Sequence, residues 1–428
     1  MRYCLIYFVL LFSIIETTAQ AYVNGRNTRH RFAQLMLGAD MVYFPSSGNT
    51  ANFTSQGLLT DIQAPAVLLP RLSIGGTHFW GHTYFFVNFP VSNFLDRSVP
   101  GGEIFYSPSV ETGARLYPWR IERKKVRPFV GFAWSLNDWR QEGANGTGVF
   151  ESKRRMPLHL GLTYQRKNLL FDLGYGRFVD QPLSYAIDRN TFVDVELPKQ
   201  YFWVGINWQL ETTAGAEKNY LNGITEQRVQ TLKERKGISG FSLAIGPSAA
   251  FVQGKAPRNE LLYPALTKHR GVAIFPDIGL GYYYYHWDLH FNIAHRSNRS
   301  TRKAYSIQQQ LKRRSVALEA FKFLFDYHGF VPFVGPSLSR EWLSLTELDG
   351  DLTTADESQQ QWAGGITFGW DIRPDDFQPW ILRTNLRYTP LKNIGAEGGL
   401  SFSQIEFNFI QFVWYPGRAK RMKKIWNN

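Results

Sequence analysis

Residues 156–179, MPLHLGLTYQRKNLLFDLGYGRFV, alternate apolar with small or polar side chains on either side of a polar corner, Arg166-Lys167-Asn168. Leu158, Leu160, Leu162 and Tyr164 share one face before the corner, and His159, Gly161, Thr163 and Gln165 the other. Leu169, Phe171, Leu173 and Tyr175 then alternate with Leu170, Asp172, Gly174 and Gly176. A side-chain period of two with unlike faces is a strand signature, and two such strands about a three-residue corner make a β-hairpin. The second face meets bulk water in a soluble sandwich and the lumen in a membrane barrel, so the rest of the chain decides between them.

The N-terminus reads as an export signal. Arg2 precedes an apolar run over residues 5–15 that is too short to cross a bilayer comfortably, and Thr17-Thr18-Ala19-Gln20-Ala21 suits a signal peptidase, with cleavage expected after Gln20 or Ala21. Cys4, the only cysteine, would leave with that peptide, so no disulfide or thiol chemistry is expected of the mature chain. No later stretch approaches the roughly 20 apolar residues of a membrane helix. Yet 16% of residues are aromatic, as in barrels girdled by aromatic belts. The net charge of +13 in an exported chain points to outer-membrane lipids, lipopolysaccharide phosphates or an acidic envelope protein as partners, and away from nucleic acid.

Strand signatures recur at residues 32–43, 68–79, 83–91, 104–116 and 127–139, in the hairpin, and at 200–210, with long polar connections alternating with short ones. A polar linker follows, with only a weak helical stripe at Leu221, Ile224 and Leu232. The pattern restarts at 241–251, 273–285, 287–294, 313–325, 330–342, 362–372, 380–388 and 405–415. The chain divides into a signal peptide (1–21), a first barrel half (22–211), a polar periplasmic linker (212–239), a second half (240–416) and a basic tail (417–428). Pro128-Phe129-Val130-Gly131 recurs as Pro332-Phe333-Val334-Gly335, and Gly161-Leu162-Thr163-Tyr164 as Gly365-Ile366-Thr367-Phe368. Both recurrences fall 204 positions later, which points to an internal duplication.

The Ala-Gln signal end, the alternating body and the closing run Gln404-Ile405-Glu406-Phe407-Asn408-Phe409-Ile410-Gln411-Phe412-Val413-Trp414-Tyr415 resemble outer-membrane β-barrel proteins of the Bacteroidota. The resemblance covers nearly the whole mature chain and implies a transmembrane barrel in a bacterial outer membrane. Such barrels often stop at the last aromatic. Here residues 416–428 follow, and Arg418, Lys420, Arg421, Lys423 and Lys424 make a solvated or head-group-binding tail, expected on the periplasmic side.

The fold class is therefore all-β, a transmembrane antiparallel β-barrel of about sixteen strands from two homologous halves. Either one porin-sized ring or two eight-stranded barrels satisfies that count. Lumen-side residues are often small, such as Ser242, Ala244, Gly246 and Ser248, or Ala363, Gly365, Thr367 and Gly369, while Asp172, Arg313, Glu319, Arg383 and Arg387 bring charge. A narrow ring needs bulk inside, so the small residues favour the single wide one.

His295-Arg296-Ser297-Asn298 ends a strand beginning near Trp287, and His295 and Ser297, two apart, share a face with Leu289, Phe291 and Ile293, the row expected to meet lipid. His-x-Ser-Asn resembles the site of outer-membrane lipid A deacylases, which implies His295 as base and Ser297 as nucleophile. The chain departs from that pattern downstream, where Ser306-Ile307-Gln308-Gln309-Gln310 stands in place of an acidic residue and the nearest acid is Glu319. A polar strand end running into a basic loop is the plainer reading. Arg296, Arg299, Arg302, Lys303, Lys312, Arg313 and Arg314, if they face outside, are placed for lipid A phosphates or for solvent, and with Lys420 they are the candidate lipid or partner contacts. Arg120, Arg123, Lys124, Lys125 and Arg127 crowd a turn expected to be periplasmic. Asp349, Asp351, Asp356 and Glu357 follow no calcium-loop template, and no Gly-rich phosphate loop or His/Cys cluster appears, so no metal or cofactor is expected. The sum is a non-catalytic envelope barrel, either a channel or a structural or accessory subunit of a secretion or assembly complex. A lipid A deacylase-like hydrolase is the alternative.

Overall fold

A computed structural model of the chain describes residues 33–211 and 238–426 together with 22–23, 26–27 and Gln230. Within these spans 55–56, 96–97, 100–101, 121–123, 144–147, 180–182, 187–191, 253–255, 265, 267–271, 328, 374–378 and 395–398 are outside the description. The expected signal peptide and nearly all of the expected linker also lie outside the described residues.

The first half supplies strands β1 (Gln34–Phe44), β2 (Val67–His78), β3 (Thr83–Pro90), β4 (Gly102–Leu116), β5 (Val126–Gly143), β6 (Pro157–Arg166), β7 (Leu169–Phe178) and β8 (Gln200–Glu211). The second supplies β9 (Gly240–Val252), β10 (Val272–Tyr284), β11 (Leu289–Tyr305), β12 (Ile307–Phe323), β13 (Phe330–Asp349), β14 (Leu352–Ile372), β15 (Trp380–Thr389) and β16 (Gln404–Trp414). Consecutive strands pair antiparallel, and β8 returns to β1 from Phe202↔Tyr43 to Glu211↔Gln34. The second set closes likewise, β9 against β16 from Leu243↔Trp414 to Val252↔Gln404.

The sixteen barrel strands thus close as two eight-stranded rings, not as the single wide ring that the small lumen residues suggested. Gly369, one of those residues, and Gly174 and Gly176 of β7 are sockets. A Cβ at Gly174 would collide with the Trp203 indole, one at Gly176 with the Tyr201 ring, and one at Gly369 with the Phe333 ring. Small positions beside very large ones fill a narrow ring as well as uniform bulk does.

Closure leaves no free edge within the rings, which a chain in hydrocarbon requires. The alternation read from the sequence sorts the faces as expected: in β6 His159 and Thr163 are buried in the lumen, whereas Leu158, Leu160 and Leu162 stand outside, each about half exposed. Leu173, Val204, Ile206, Leu243, Ile245, Leu280 and Ile293 continue that belt around both rings. An apolar girdle this broad over sealed barrels is a lipid-facing surface, and both rings are transmembrane.

Connections are short at the end holding β1's start and β16's finish, and long at the other. At the long-loop end β11 to β14 run on as 17 to 21-residue strands. The segment read as a basic loop after His295 is therefore paired strand. Its outer face no longer touches hydrocarbon, so it loses the apolar alternation by which strands are recognised while keeping its ladder. The strand Gly148–Arg155 pairs with β5 and also with β11, at Gly148↔Tyr305, Val149↔Ala304 and Phe150↔Lys303, which joins the rings into one hydrogen-bonded sheet. Below it, Val87 and Val110 pack on Ala249 and Phe409, and Trp80 on Ile372. Phe79 and Trp80 make the β2–β3 turn at φ of 52° and 57°, a strained choice for bulky residues that the seam packing around Trp80 holds in place.

Candidate functional site

The functional candidates are the two lumens, the basic outer face and the His295/Ser297 pair. In the first ring Arg71 grips Asp40 with two bonds, Nε to Oδ1 at 2.7 Å and Nη2 to Oδ2 at 2.8 Å, and reaches Glu111 with Nη1 at 3.1 Å. The Tyr201 hydroxyl donates to Glu111 at 2.6 Å and lies 2.6 Å from Nε2 of His159. One layer towards the short-turn end, Arg115 donates to Asp172 at 2.9 Å, and Asp172 also accepts from Thr163 at 2.6 Å and Asn207 at 2.9 Å. The Arg115 guanidinium is boxed by Tyr84, Phe86, Phe129 and Trp203, all within 5.3 Å of their ring centres. Glu111, Tyr201 and His159 bring acid, hydroxyl and imidazole together, and all three are buried and packed against the Phe44, Phe86 and Trp203 rings as part of the lumen filling.

The second ring is filled by charge. Arg387 reaches Asp277 at 2.6 Å and Glu319 at 3.0 Å, while Arg296 pairs with Asp277 at 3.3 Å, with Glu406 at 3.6 Å and closely with Glu319. Arg313 is bidentate on Glu341 at 2.7 and 2.8 Å and also pairs with Glu406. Arg383 is bidentate on Asp371 at 2.7 and 3.1 Å, and Arg373 lies 3.4 Å from the same carboxylate. The five arginines Arg296, Arg313, Arg373, Arg383 and Arg387 thus meet five carboxylates, Asp277, Glu319, Glu341, Asp371 and Glu406. Charges taken from water at such cost persist only when paired throughout. At the long-loop mouth helix α1 (Pro257–Leu262) lays Arg258 on Glu347 at 2.9 Å, and hydrogen bonding to that carboxylate holds the guanidinium above its ordinary pKa. At the other mouth α2 (Pro416–Trp426), the expected basic tail, buries Arg418 over the Tyr415 ring at 3.9 Å and donates its Nε to Ile238 O at 2.8 Å, while Lys420 is exposed.

The predicted surface set divides accordingly. Arg296 and Arg313 point into the lumen and are spent on carboxylates, because strand alternation turns every second residue of β11 and β12 inward. Arg302 is buried at the seam, bound to Glu151 of the other ring at 3.0 Å. Arg127, read as part of a basic turn, lies inside the first ring and donates to Gly81 O at 3.0 Å. Arg299 and Arg314 remain exposed on the outer face, Lys303 is half-buried there, and sequence reasoning left Arg340 out of this group. Lys312 opposes Arg299, Trp342 opposes Arg314, and Arg340 opposes Val316 beside Arg314, so β11 to β13 carry a basic band just beyond the apolar belt.

His295 and Ser297 face outward with that band. Their cross-strand neighbours are Ile278, Val316 and Arg314. The outward residues of β10 and β12 beside them are Pro276, Ile278, Leu280, Lys312, Arg314, Val316 and Leu318, so no carboxylate shares their face there; Asp277 and Glu319 lie on the lumen side. Among the described residues no three His, Cys, Asp or Glu side chains assemble a metal site. Sequence reasoning also missed Asp40, Arg71, Glu111, Arg115, Asp277 and Glu406 as lumen anchors. For Asp40, Arg71, Asp277 and Glu406 a signal was present: each is a single charge on the small or polar face of its strand, as Glu406 is between Ile405 and Phe407, whereas Glu111 and Arg115 share one face of β4, whose other face there, Thr112 and Ala114, is not strongly apolar.

No known protein family and no curated protein matches the sequence. Among solved structures the chain is similar to Neisserial surface protein A, at 16% identity and a TM-score of 0.30 over 41% of this chain and 98% of that one. It is similar also to Ail, the attachment invasion locus protein of Yersinia pestis, at 11% identity and 0.29 over 41% and 97%. An outer membrane channel from Pseudomonas putida F1 matches at 9% identity and 0.18 over 93% and 97%.

Proposed function

We propose that this chain is a non-catalytic integral protein of a bacterial outer membrane, an accessory subunit in which two sealed barrels carry a rigid extracellular sheet for another envelope component. The observation that carries the reading is the filling of both lumens with buried, mutually paired side chains, which supports an anchor over a channel. A strand crosses a bilayer in roughly 9–11 residues, so the 17 to 21 residues of β11 to β14 carry the sheet well beyond it. β14 pairs with β15 only from Ile366 onward, and among the described residues no strand pairs with that edge between 352 and 365, a ready template for β-augmentation by a partner. The basic band of Arg299, Lys312, Arg314 and Arg340 suits the phosphates of outer-leaflet lipopolysaccharide, and exposed Lys420 suits head groups or a partner at the other mouth. The equal strand counts and the like order of the two rings favour an origin by duplication, and the Bacteroidota likeness rests on sequence pattern.

The test is single-channel recording of the purified chain in a planar bilayer, beside affinity capture from detergent-solubilised outer membranes with imaging of what elutes. Silence at all voltages and a stable heteromeric complex are expected. Discrete conductance steps from a solitary chain would restore the channel reading, and hydrolysis of lipid A esters abolished by Ser297→Ala would restore the hydrolase.

A further inference from the structure

The seam between the rings is not fully packed. On the side where β1 to β5 face β14 to β16 it holds a cavity of about 290 Å³, just below the roughly 300–1,000 Å³ of small-ligand sites. It exists because the first ring's outer face carries Gly76, Thr112 and Ala114 there, where the rest of the belt carries Leu, Ile or Phe. Phe85, Phe368, Trp370 and Phe407 form its other walls. The slot opens sideways to the bilayer, since Phe132 and Phe368 at its rim are 38% and 49% exposed.

Its polar content is small and mostly used. The Thr112 hydroxyl donates to Phe86 O at 3.0 Å and the Thr384 hydroxyl to Phe409 O at 2.8 Å. His78 differs. It is 7% exposed, it lines the slot, and its Nδ1 is buried with no hydrogen-bond partner. A buried polar group left unpaired costs about 1–3 kcal/mol, and nothing in the fold requires an imidazole between Phe79 and Phe85, where a phenyl ring would pack. His78 ends β2, one residue before the turn that places Trp80 in the seam, at the depth where bilayer hydrocarbon gives way to head groups.

We propose that the slot is a binding site for one acyl chain of a glycerophospholipid of the periplasmic leaflet, whose ester carbonyl accepts a hydrogen bond from His78. The chain fills a void that packing otherwise disfavours, the ester satisfies the imidazole, and the lipid staples one ring to the other. The inference goes beyond the accessory reading and rests on the membrane embedding of both rings with their short turns towards the periplasm, so conductance or partner capture bears on that reading and leaves this one standing.

The test is native mass spectrometry of the full chain after extended washing in mild detergent, with wild type, Ala114→Phe to fill the slot, His78→Phe to remove the polar handle, and Leu160→Phe as a belt control far from the seam. Wild type and Leu160→Phe are expected to retain one phospholipid and Ala114→Phe none. His78→Phe should retain it roughly tenfold more weakly, the worth of one buried hydrogen bond. Heat-modifiable migration reports whether each variant folds. Should Ala114→Phe fail to fold, wild type titrated with bromoacyl phosphatidylethanolamine decides the matter. Saturable quenching of Trp134 and Trp370 at low lipid fraction supports the site, and quenching that only follows bulk lipid overturns it. Wild type free of lipid, equal retention by Ala114→Phe, or a retained mass of lipid A would likewise overturn the proposal.

Discussion

In the first ring the central cation Arg115 has one carboxylate, Asp172, and four aromatic rings around it. In the second, Arg296 and Arg387 sit among Asp277, Glu319 and Glu406 and share them. Both fillings exclude water from a ring of eight strands, but they distribute risk differently. An aromatic box solvates a cation through the ring quadrupoles and keeps its shape if the anion goes. A shared carboxylate lattice has no such reserve, because each of these anions serves two or three cations at once. The Arg115 layer of the first plug is held mainly by packing, and the Arg296–Arg387 lattice of the second mainly by charge balance.

Removing a shared anion should therefore do the most damage. Asp277→Ala leaves Arg296 and Arg387 one carboxylate short in a buried lumen, with only Glu319 and Glu406 left to share, and is expected to cost about 3–5 kcal/mol, read as the urea midpoint of tryptophan fluorescence in detergent micelles. Arg115→Met keeps the bulk inside the aromatic box and leaves Asp172 with the Thr163 and Asn207 donors, so about 1.5–3 kcal/mol is expected. Equal losses from the two variants would erase the distinction between the plugs. Next in size come the sockets. Gly174→Ala drives a methyl into the Trp203 indole and should cost about 1–3 kcal/mol by overpacking. Gly364→Ala, on the outer face of β14 with open space around it, should be neutral or slightly stabilising. A harmless Gly174→Ala would mean that the first plug is looser than its geometry.

How legible each ring was follows from the same physics. Where a strand crosses hydrocarbon its outer face must be apolar, so β6, β7 and β8 and their lumen faces, Asp172 included, were readable from period-two alternation. Above the bilayer that demand vanishes. The continuation of β11 through Arg296, Arg299 and Arg302 therefore looked like a loop, and Arg296 looked like surface charge although alternation sends it inward, while Arg313 was read both as lumen charge and as a candidate lipid contact. Closure was not readable either, since periodicity says which face a residue takes and not which strand the last one meets. The socket glycines misled for a related reason: Gly174 and Gly176 are informative only once Trp203 and Tyr201 are known to lie across from them.

The smallest expected effect separates the two rings at their short turns. His82 follows the first turn with Nδ1 3.1 Å from Tyr117 O, whereas the short connection of the second ring that leads into β15 at Trp380 has no histidine in its sequence between Arg373 and Trp380. Burial lowers the His82 pKa below its ordinary 6.5. Below that value the unfolded segment takes up a proton more readily than the folded one, so the stability His82 contributes is full above about 6.5 and is lost as the pH falls. Amide exchange at Thr83 and Tyr84 should accelerate between pH 7.5 and 5.5, after correction for intrinsic rates, by the equivalent of less than about 1 kcal/mol. Trp380 and Ile381 should show no such change. His82→Asn, which keeps a donor for Tyr117 O without a titrating ring, should flatten the response of the first turn. Equal acid sensitivity of both turns, or its survival in His82→Asn, would place the titration elsewhere and remove this contrast between the rings.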